Sequence, residues 1–363
     1  MSFLKNIFGS KEQPIKNYND FWKWFQENEK SFYQVVKDGK KIEEEFFSEL
    51  SPKLGQLREG YYFLTGMMNE DTAELILTAD GRVKNIVFVE ELVNAAPDIN
   101  GWKFTAFKPA LDIEDVSIKM GDYEFSKDNI SFYYNEDANY PDEIDIVLVN
   151  DNLNESNKDE ITNGTFIFID NLLGELNFAT TIDNIVVVGK DKAEKELISI
   201  KKLKDFLIWR EKEFIEKYDD VWHSTETNNH SILEGSLQNG KPLLAVVNMD
   251  LLNWENKASH PWILVIETKF NADPNGFPSD KTLAELNELE DVLLEELKDS
   301  EGYLNIGRET ADGIREIYFA CKDFRKPPQV AEQIIAKYGD KFSITFDIYK
   351  DKYWQSFNRF TGN

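Results

Sequence analysis

The sequence predicts an α+β protein: an N-terminal α+β region followed by a C-terminal domain of one sheet and two helices. Three observations predict it. Apolar residues recur at helical spacing in some segments, and in short runs bounded by Gly, Asp, Asn and Pro in others, so both element types are present. A hydrophobic fraction of 41% with 13% aromatic residues supplies enough apolar surface for packed cores. From His260 onward the elements read β-α-β-β-α-β, the split order of ferredoxin-like folds, in which two helices cover one face of a four-stranded sheet.

Residues 1–17 read as a flexible N-terminus. Phe3, Leu4, Ile7 and Phe8 cluster there, but without the long apolar core or cleavage site of a signal peptide. Residues 18–191 read as the N-terminal α+β region. Phe21, Trp24, Phe25, Phe32 and Val36 share a helical face, with Asn19 or Asp20 as its cap. KIEEEFFSELSPKLGQL is a second helix that Pro52 ends or kinks. YYFLTGMM and TAELILTADGRVKNIVFV read as strands, the ADG turn making the latter a hairpin, and residues 90–97 as a short helix. GWKFTAFKP, VSIKM, ISFYY and EIDIVLVN are strands, and TFIFID, LLGELNFATTID and NIVVVG form a β-α-β unit.

Residues 192–219 read as a long connecting helix with an apolar stripe through Leu197, Ile200, Leu203, Phe206, Leu207 and Phe214. The C-terminal domain then spans 220–363. HSILEGSL and KPLLAVVNMDLL are strands joined by a QNGK turn, positioned to extend the sheet. HPWILVIETKF is apolar on both alternating sets, which predicts a strand covered on both faces. DKTLAELNELEDVLLEELKD is a helix capped by Asp280, with Leu283, Leu286, Leu289, Leu293 and Leu297 inward. PPQVAEQIIAKYG is the second helix, with Pro near its start and Gly339 as its stop.

The chain carries 67 acidic and 41 basic residues, a formal charge of −26. That excess repels phosphate backbones and anionic membranes, so neither nucleic acid nor membrane is expected as a direct partner; a basic protein is favoured. A single cysteine, Cys321, forbids an intramolecular disulfide and predicts a buried thiol and a cytoplasmic location. No segment reaches the ~20 apolar residues of a membrane helix.

Candidate sites are few. Asn271, Asp273, Asn275 and Gly276 imitate the start of a calcium loop, but Thr282 stands where its bidentate acid is required and Pro274 interrupts it. They read as turn residues. The three histidines, His223, His230 and His260, lack the spacing of a metal motif. No phosphate loop, nucleophile elbow or Cys-His pairing is present, so no catalytic residue, metal or cofactor is expected. In the segment GYLNIGRETADGIREIYFACKD, a three-residue loop Ala311-Asp312-Gly313 places Glu309 opposite Arg315 and Arg308 opposite Glu316. Arg308 and Arg315 are thereby candidates for contact with an anionic group.

HPWILVIETKF, GFPSDKTLAELNELEDVLLEEL, GYLNIGRETADGIREIYFACKD and YKDKYWQSF, in that order, resemble the bacterial domain-of-unknown-function family numbered 695 over about residues 220–363. Trp222, Tyr318 and the stretch Asp351 to Trp354 match its pattern, which adds Tyr318 and Trp354 to the candidate binding residues. The resemblance implies a fold similar to that of bacterial regulators that bind and inhibit ribonuclease E. It therefore implies action by contact, and an RNA-processing enzyme as one kind of partner. Three functions follow as expectations: a non-catalytic, protein-binding regulator, a carboxylate- or metal-dependent hydrolase, and an immunity-type protein against a basic toxin.

Overall fold

The computed structural model describes residues 14–114 and 116–361 and divides into two compact units, Met1–Pro109 and Ala110–Asn363. Most of the expected flexible N-terminus lies outside the described residues.

In the first unit, α1 (Tyr18–Asp38) buries Phe21, Trp22, Phe25, Phe32, Val35 and Val36. Its cap is Asn17, not Asn19 or Asp20: the Asn17 side chain accepts from the Asp20 amide at 2.9 Å. A π turn (Glu43–Phe47) leads into α2 (Ser48–Leu57), which continues past Pro52 rather than ending there. β1 (Tyr62–Met67) pairs antiparallel with β2 (Ala73–Thr78). The expected hairpin after β2 is absent, because NIVFV is helical: α3 (Val83–Asn94) absorbs it and the expected helix at 90–97. A short apolar run does not tell helix from strand, and tertiary topology decides here. α3 carries the chain from β2 to its parallel neighbour β3 (Trp102–Ala106), a connection no tight turn can make.

The second unit opens with a small hairpin, β4 (Ile118–Met120) and β5 (Tyr123–Phe125). β6 (Ile130–Asn135) and β7 (Asp145–Asn150) follow, antiparallel. TFIFID is not a strand. It lies inside α4 (Lys158–Leu173), where Ile161, Thr165, Phe168, Ile169 and Leu172 recur at helical spacing on the buried side. Gly164 is required by close packing, since a Cβ there would sit 2.1 Å from the Phe125 ring. α5 (Glu175–Thr180) completes the crossover to β8 (Asn184–Gly189), parallel to β7.

The long helix expected over 192–219 starts only at Leu203. Before it, β9 (Ile198–Ser199) pairs with β6, giving the sheet order β8-β7-β6-β9, and that pairing overrides the helix propensity of KAEKEL. α6 (Leu203–Tyr218) buries Leu203 and Leu207 in this sheet's core.

The remaining elements build one six-stranded sheet, ordered β10-β11-β13-β14-β12-β15. β10 (His230–Ser236) and β11 (Pro242–Asn248) form the added edge; MDLL is not strand but a turn of helix, α7 (Met249–Leu252), capped by Asn248. β12 (Trp262–Lys269), α8 (Asp280–Glu296), β13 (Tyr303–Ala311), β14 (Ile314–Cys321), α9 (Lys326–Tyr338) and β15 (Ser343–Lys350) supply the β-α-β-β-α-β run. Both faces of β12 are packed: Leu264 and Ile266 on the side of Phe319 and Ile317, and Ile263 on the other side with Ala320 and Trp354.

Local expectations for α8 and for the β13–β14 turn differ. The α8 cap is Ser279 rather than Asp280, and Leu283 is exposed. The β13–β14 turn has two residues, not three. Asp312 and Gly313 both take positive φ, 48° and 80°, which matches the right-handed twist of the strands. The register therefore pairs Thr310 with Arg315 and Glu309 with Glu316, so the expected opposite-charge pairs do not form. A bulge at Asn305–Gly307 re-aims β13; only glycine fits at 307, where φ is 143° and a Cβ would meet the Val246 carbonyl.

Candidate functional site

The structure separates the four residues singled out from the sequence. Arg308 and Arg315 point to the helix-covered face of the sheet. Arg308 Nη1 donates to Glu290 Oε1 at 2.8 Å, and Arg315 donates to Asn287 Oδ1 at 3.0 Å and Thr310 Oγ1 at 3.2 Å. Arg315 is only 3% exposed, and burial draws its guanidinium down to about 10. The register difference explains the correction. A turn one residue shorter reverses the facing of one strand relative to the other, so Arg308 and Arg315, which the three-residue loop would place on opposite faces, share one face, pack against α8 and are spent on Glu290.

Tyr318 and Trp354 lie on the other face, both buried. Trp354 is part of a latch. Its indole Nε1 donates to the His260 carbonyl at 2.9 Å, and the Asp351 amide donates to the Pro261 carbonyl at 2.8 Å. The Asp351 carboxylate accepts from the Gln355 and Ser356 amides and so starts the closing 3₁₀ helix, Gln355–Phe360. The Asp-x-x-Trp stretch thus fastens the C-terminus over the sheet.

His260 is a core residue. Ser259 Oγ is close to both the Asn256 carbonyl, at 2.6 Å, and His260 Nδ1, at 2.8 Å. With the hydroxyl proton on the carbonyl, Nδ1 donates to Ser259, and Nε2 is an unprotonated acceptor without a hydrogen-bond partner. Burial, with Lys322 and His223 nearby, holds the ring down to about 3. Among the described residues, no group of three His, Cys, Asp or Glu side chains is placed to hold a metal ion. Asp273 staples its own turn, accepting from the amides of Asn275 and Phe277. Cys321 is buried, and burial pushes its thiol up.

Beyond the latch, the same face carries a row of three glutamates. Glu309, Glu316 and Glu267 lie on adjacent strands β13, β14 and β12, each directly opposite the next. Like charges in that position repel. Compensation is partial: Lys269 lies 3.1 Å from Glu267 and Arg359 lies 3.8 Å from Glu309. Among the described residues no cation pairs with Glu316; the Tyr318 hydroxyl donates to it at 2.6 Å and accepts from Arg359 at 3.1 Å. Burial pushes the Glu309 carboxyl up, Arg359 pulls it back, and Glu316 adds to the rise. Leu233, Leu243, Val265, Tyr349 and Phe360, all partly exposed, belong to the same face. The result is an apolar sheet surface with a half-open acidic stripe, suited to accept N–H donors from guanidinium or ammonium groups. A three-residue turn at 311–313 hides the Glu309–Glu316 pair, and nothing local to β12 marks Glu267 as its neighbour.

The second unit also holds two enclosed charged clusters. Asp142 accepts from Lys217 (2.8 and 2.9 Å), Tyr218 (2.7 Å) and Tyr353 (2.6 Å). Burial works against its ionised form, but Lys217, Tyr353 and Tyr218 prevail and hold the carboxyl below its ordinary value. Asp183 accepts from Lys352 Nζ at 2.7 Å and from the Ile144 amide at 2.7 Å. These contacts tie the stretch 350–353 to the four-stranded sheet and α6.

Residues 235–361 match the family model described as a family of unknown function (DUF695). Trp222 lies outside the matched residues and is exposed. No curated protein and no solved structure matches the chain.

Proposed function

We propose that the six-stranded domain is a binding module that recognises a basic segment of a protein partner, and that the protein acts by contact rather than by catalysis. The observation that carries the reading is the glutamate row on the open face. The fold holds three carboxylates side by side at a cost, with no cation paired to Glu316 among the described residues, beside apolar side chains left partly exposed. A cationic partner removes the repulsion and covers the apolar surface in one step. The net charge of −26 favours the same encounter over a longer range. Cytoplasmic regulation of an RNA-processing enzyme, the role implied by the family resemblance, is one form such contact takes.

The test uses Glu316→Lys and the double variant Glu267→Lys/Glu316→Lys. Affinity capture from an extract of the source cells at low salt is compared with the wild type, with thermal melting as the control for folding. Loss of a stoichiometric, salt-sensitive partner from folded variants supports the proposal. Retention of that partner by both variants refutes the site.

A further inference from the structure

The helix α6 is apolar on more than one side. Leu203 and Leu207 face the core of the four-stranded sheet and Tyr218 is buried, yet Ile208, Trp209 and Ile215 are each more than half exposed. A surface helix needs one apolar stripe, laid against its own core. A second stripe is a surface for something else to cover.

This second stripe has a two-fold pattern. At 3.6 residues per turn, Lys204, Ile208, Glu211, Lys212, Ile215 and Asp219 fall within an arc of about 100°. All six are exposed, and Asp219 keeps helical backbone angles, φ −55° and ψ −47°, so the stripe runs one residue past the helix. Taken inward from its two ends, the residues pair as Lys204 with Asp219, Ile208 with Ile215, and Glu211 with Lys212. All three pairs share one midpoint, between Glu211 and Lys212. Two antiparallel copies of α6, related by a two-fold axis through that midpoint, bring each residue against its mate in the other copy. Every charge then meets its opposite, and each isoleucine meets an isoleucine. The apolar contact supplies the attraction; the charge pairs, individually weak on a surface, set direction and register.

The charge of the whole helix fits the same occupant. Asp205, Glu211, Glu213 and Glu216 are balanced by Lys204, Arg210, Lys212 and Lys217. Two copies of a chain of net charge −26 repel over most of their surface, and a locally neutral helix lets them approach. A basic partner finds no excess of acid on this helix, which separates it from the glutamate row.

We propose that the exposed face of α6 is the contact through which two copies of this chain associate, antiparallel and about a two-fold axis. One helix against one helix is a small interface, so the dimer is reversible and depends on concentration. The inference rests on α6 alone and does not depend on the glutamate row.

The experiment is sedimentation equilibrium of the full chain at fixed ionic strength, up to about 100 μM, with circular dichroism as the control for folding. The wild type is expected to pass from monomer to dimer as concentration rises. Ile208→Asp alters a side chain that the core does not use, and it should weaken the dimer by about tenfold or more. Glu211→Lys sets lysine against Lys212 in both symmetry-related contacts and should weaken it as well. Glu211→Lys/Lys212→Glu restores opposite charges at the net charge of the wild type and should recover most of the loss. That recovery is specific to the antiparallel register. A chain that stays monomeric throughout leaves the face to a different partner and overturns the proposal. So does a dimer equally strong in Ile208→Asp, or a double variant no stronger than Glu211→Lys alone.

Discussion

Replacing Arg315 with Ala removes a cation that the sheet and α8 enclose. The Arg315 and Glu290 side chains are 4% and 8% exposed, so solvent screening offers little relief. Truncating one partner of a buried ion pair costs ~3–5 kcal/mol, because the other charge stays buried. Arg308 remains 2.8 Å from Glu290, which places the electrostatic part near the low end of that range. Asn287 and Thr310 each lose a donor, adding ~1 kcal/mol apiece. The total is ~5 kcal/mol. At ~2–4 °C per kcal/mol for a unit of this size, the melting temperature should fall by ~10–20 °C. Calorimetry and urea denaturation of Arg315→Ala measure it, and the same substitution in a Glu290→Gln background should cost less. A shift of only a degree or two, as for an ordinary surface residue, would refute the reasoning and return the arginine to the solvent.

Three further outcomes are expected. Glu316→Gln keeps the acceptor for Tyr318 but removes the cross-strand repulsion, so it should raise stability by ~0.2–1 kcal/mol while weakening partner capture; a loss in a urea melt would contradict this. His260 should remain neutral in the folded chain well below its ordinary value of 6.5, down to about 3. Between these values the unfolded chain binds a proton that the folded chain refuses, so stability should fall as pH drops through that window; NMR titration of the ring, with acid denaturation of His260→Asn, checks both parts. Trp354→Phe deletes the indole donor to the His260 carbonyl and should cost ~1–3 kcal/mol, measured by urea denaturation.

The C-terminal architecture was legible because its signals agree. Pattern, turn residues and helix stops from His260 onward all point to one order of elements, and the strands form in that order. Apolar runs rich in β-branched and aromatic residues were not legible. NIVFV and TFIFID have strand composition, yet both lie in helices that carry crossovers between parallel strands, which is a tertiary requirement. KAEKEL has helix composition and precedes a two-residue strand for the same kind of reason.

The site was obscured by a single turn. Asp312-Gly313 is the signature of a two-residue hairpin, and reading it so pairs Glu309 with Glu316 and turns Arg315 toward α8.

The central claim is that the glutamate row recognises a cationic partner. Its most direct test is the affinity of the captured partner for the wild type and for folded Glu267→Lys/Glu316→Lys across a range of ionic strengths. The account predicts wild-type binding that weakens steeply with salt and a loss of at least tenfold in the variant. Equal affinities, or wild-type binding indifferent to salt, would contradict it.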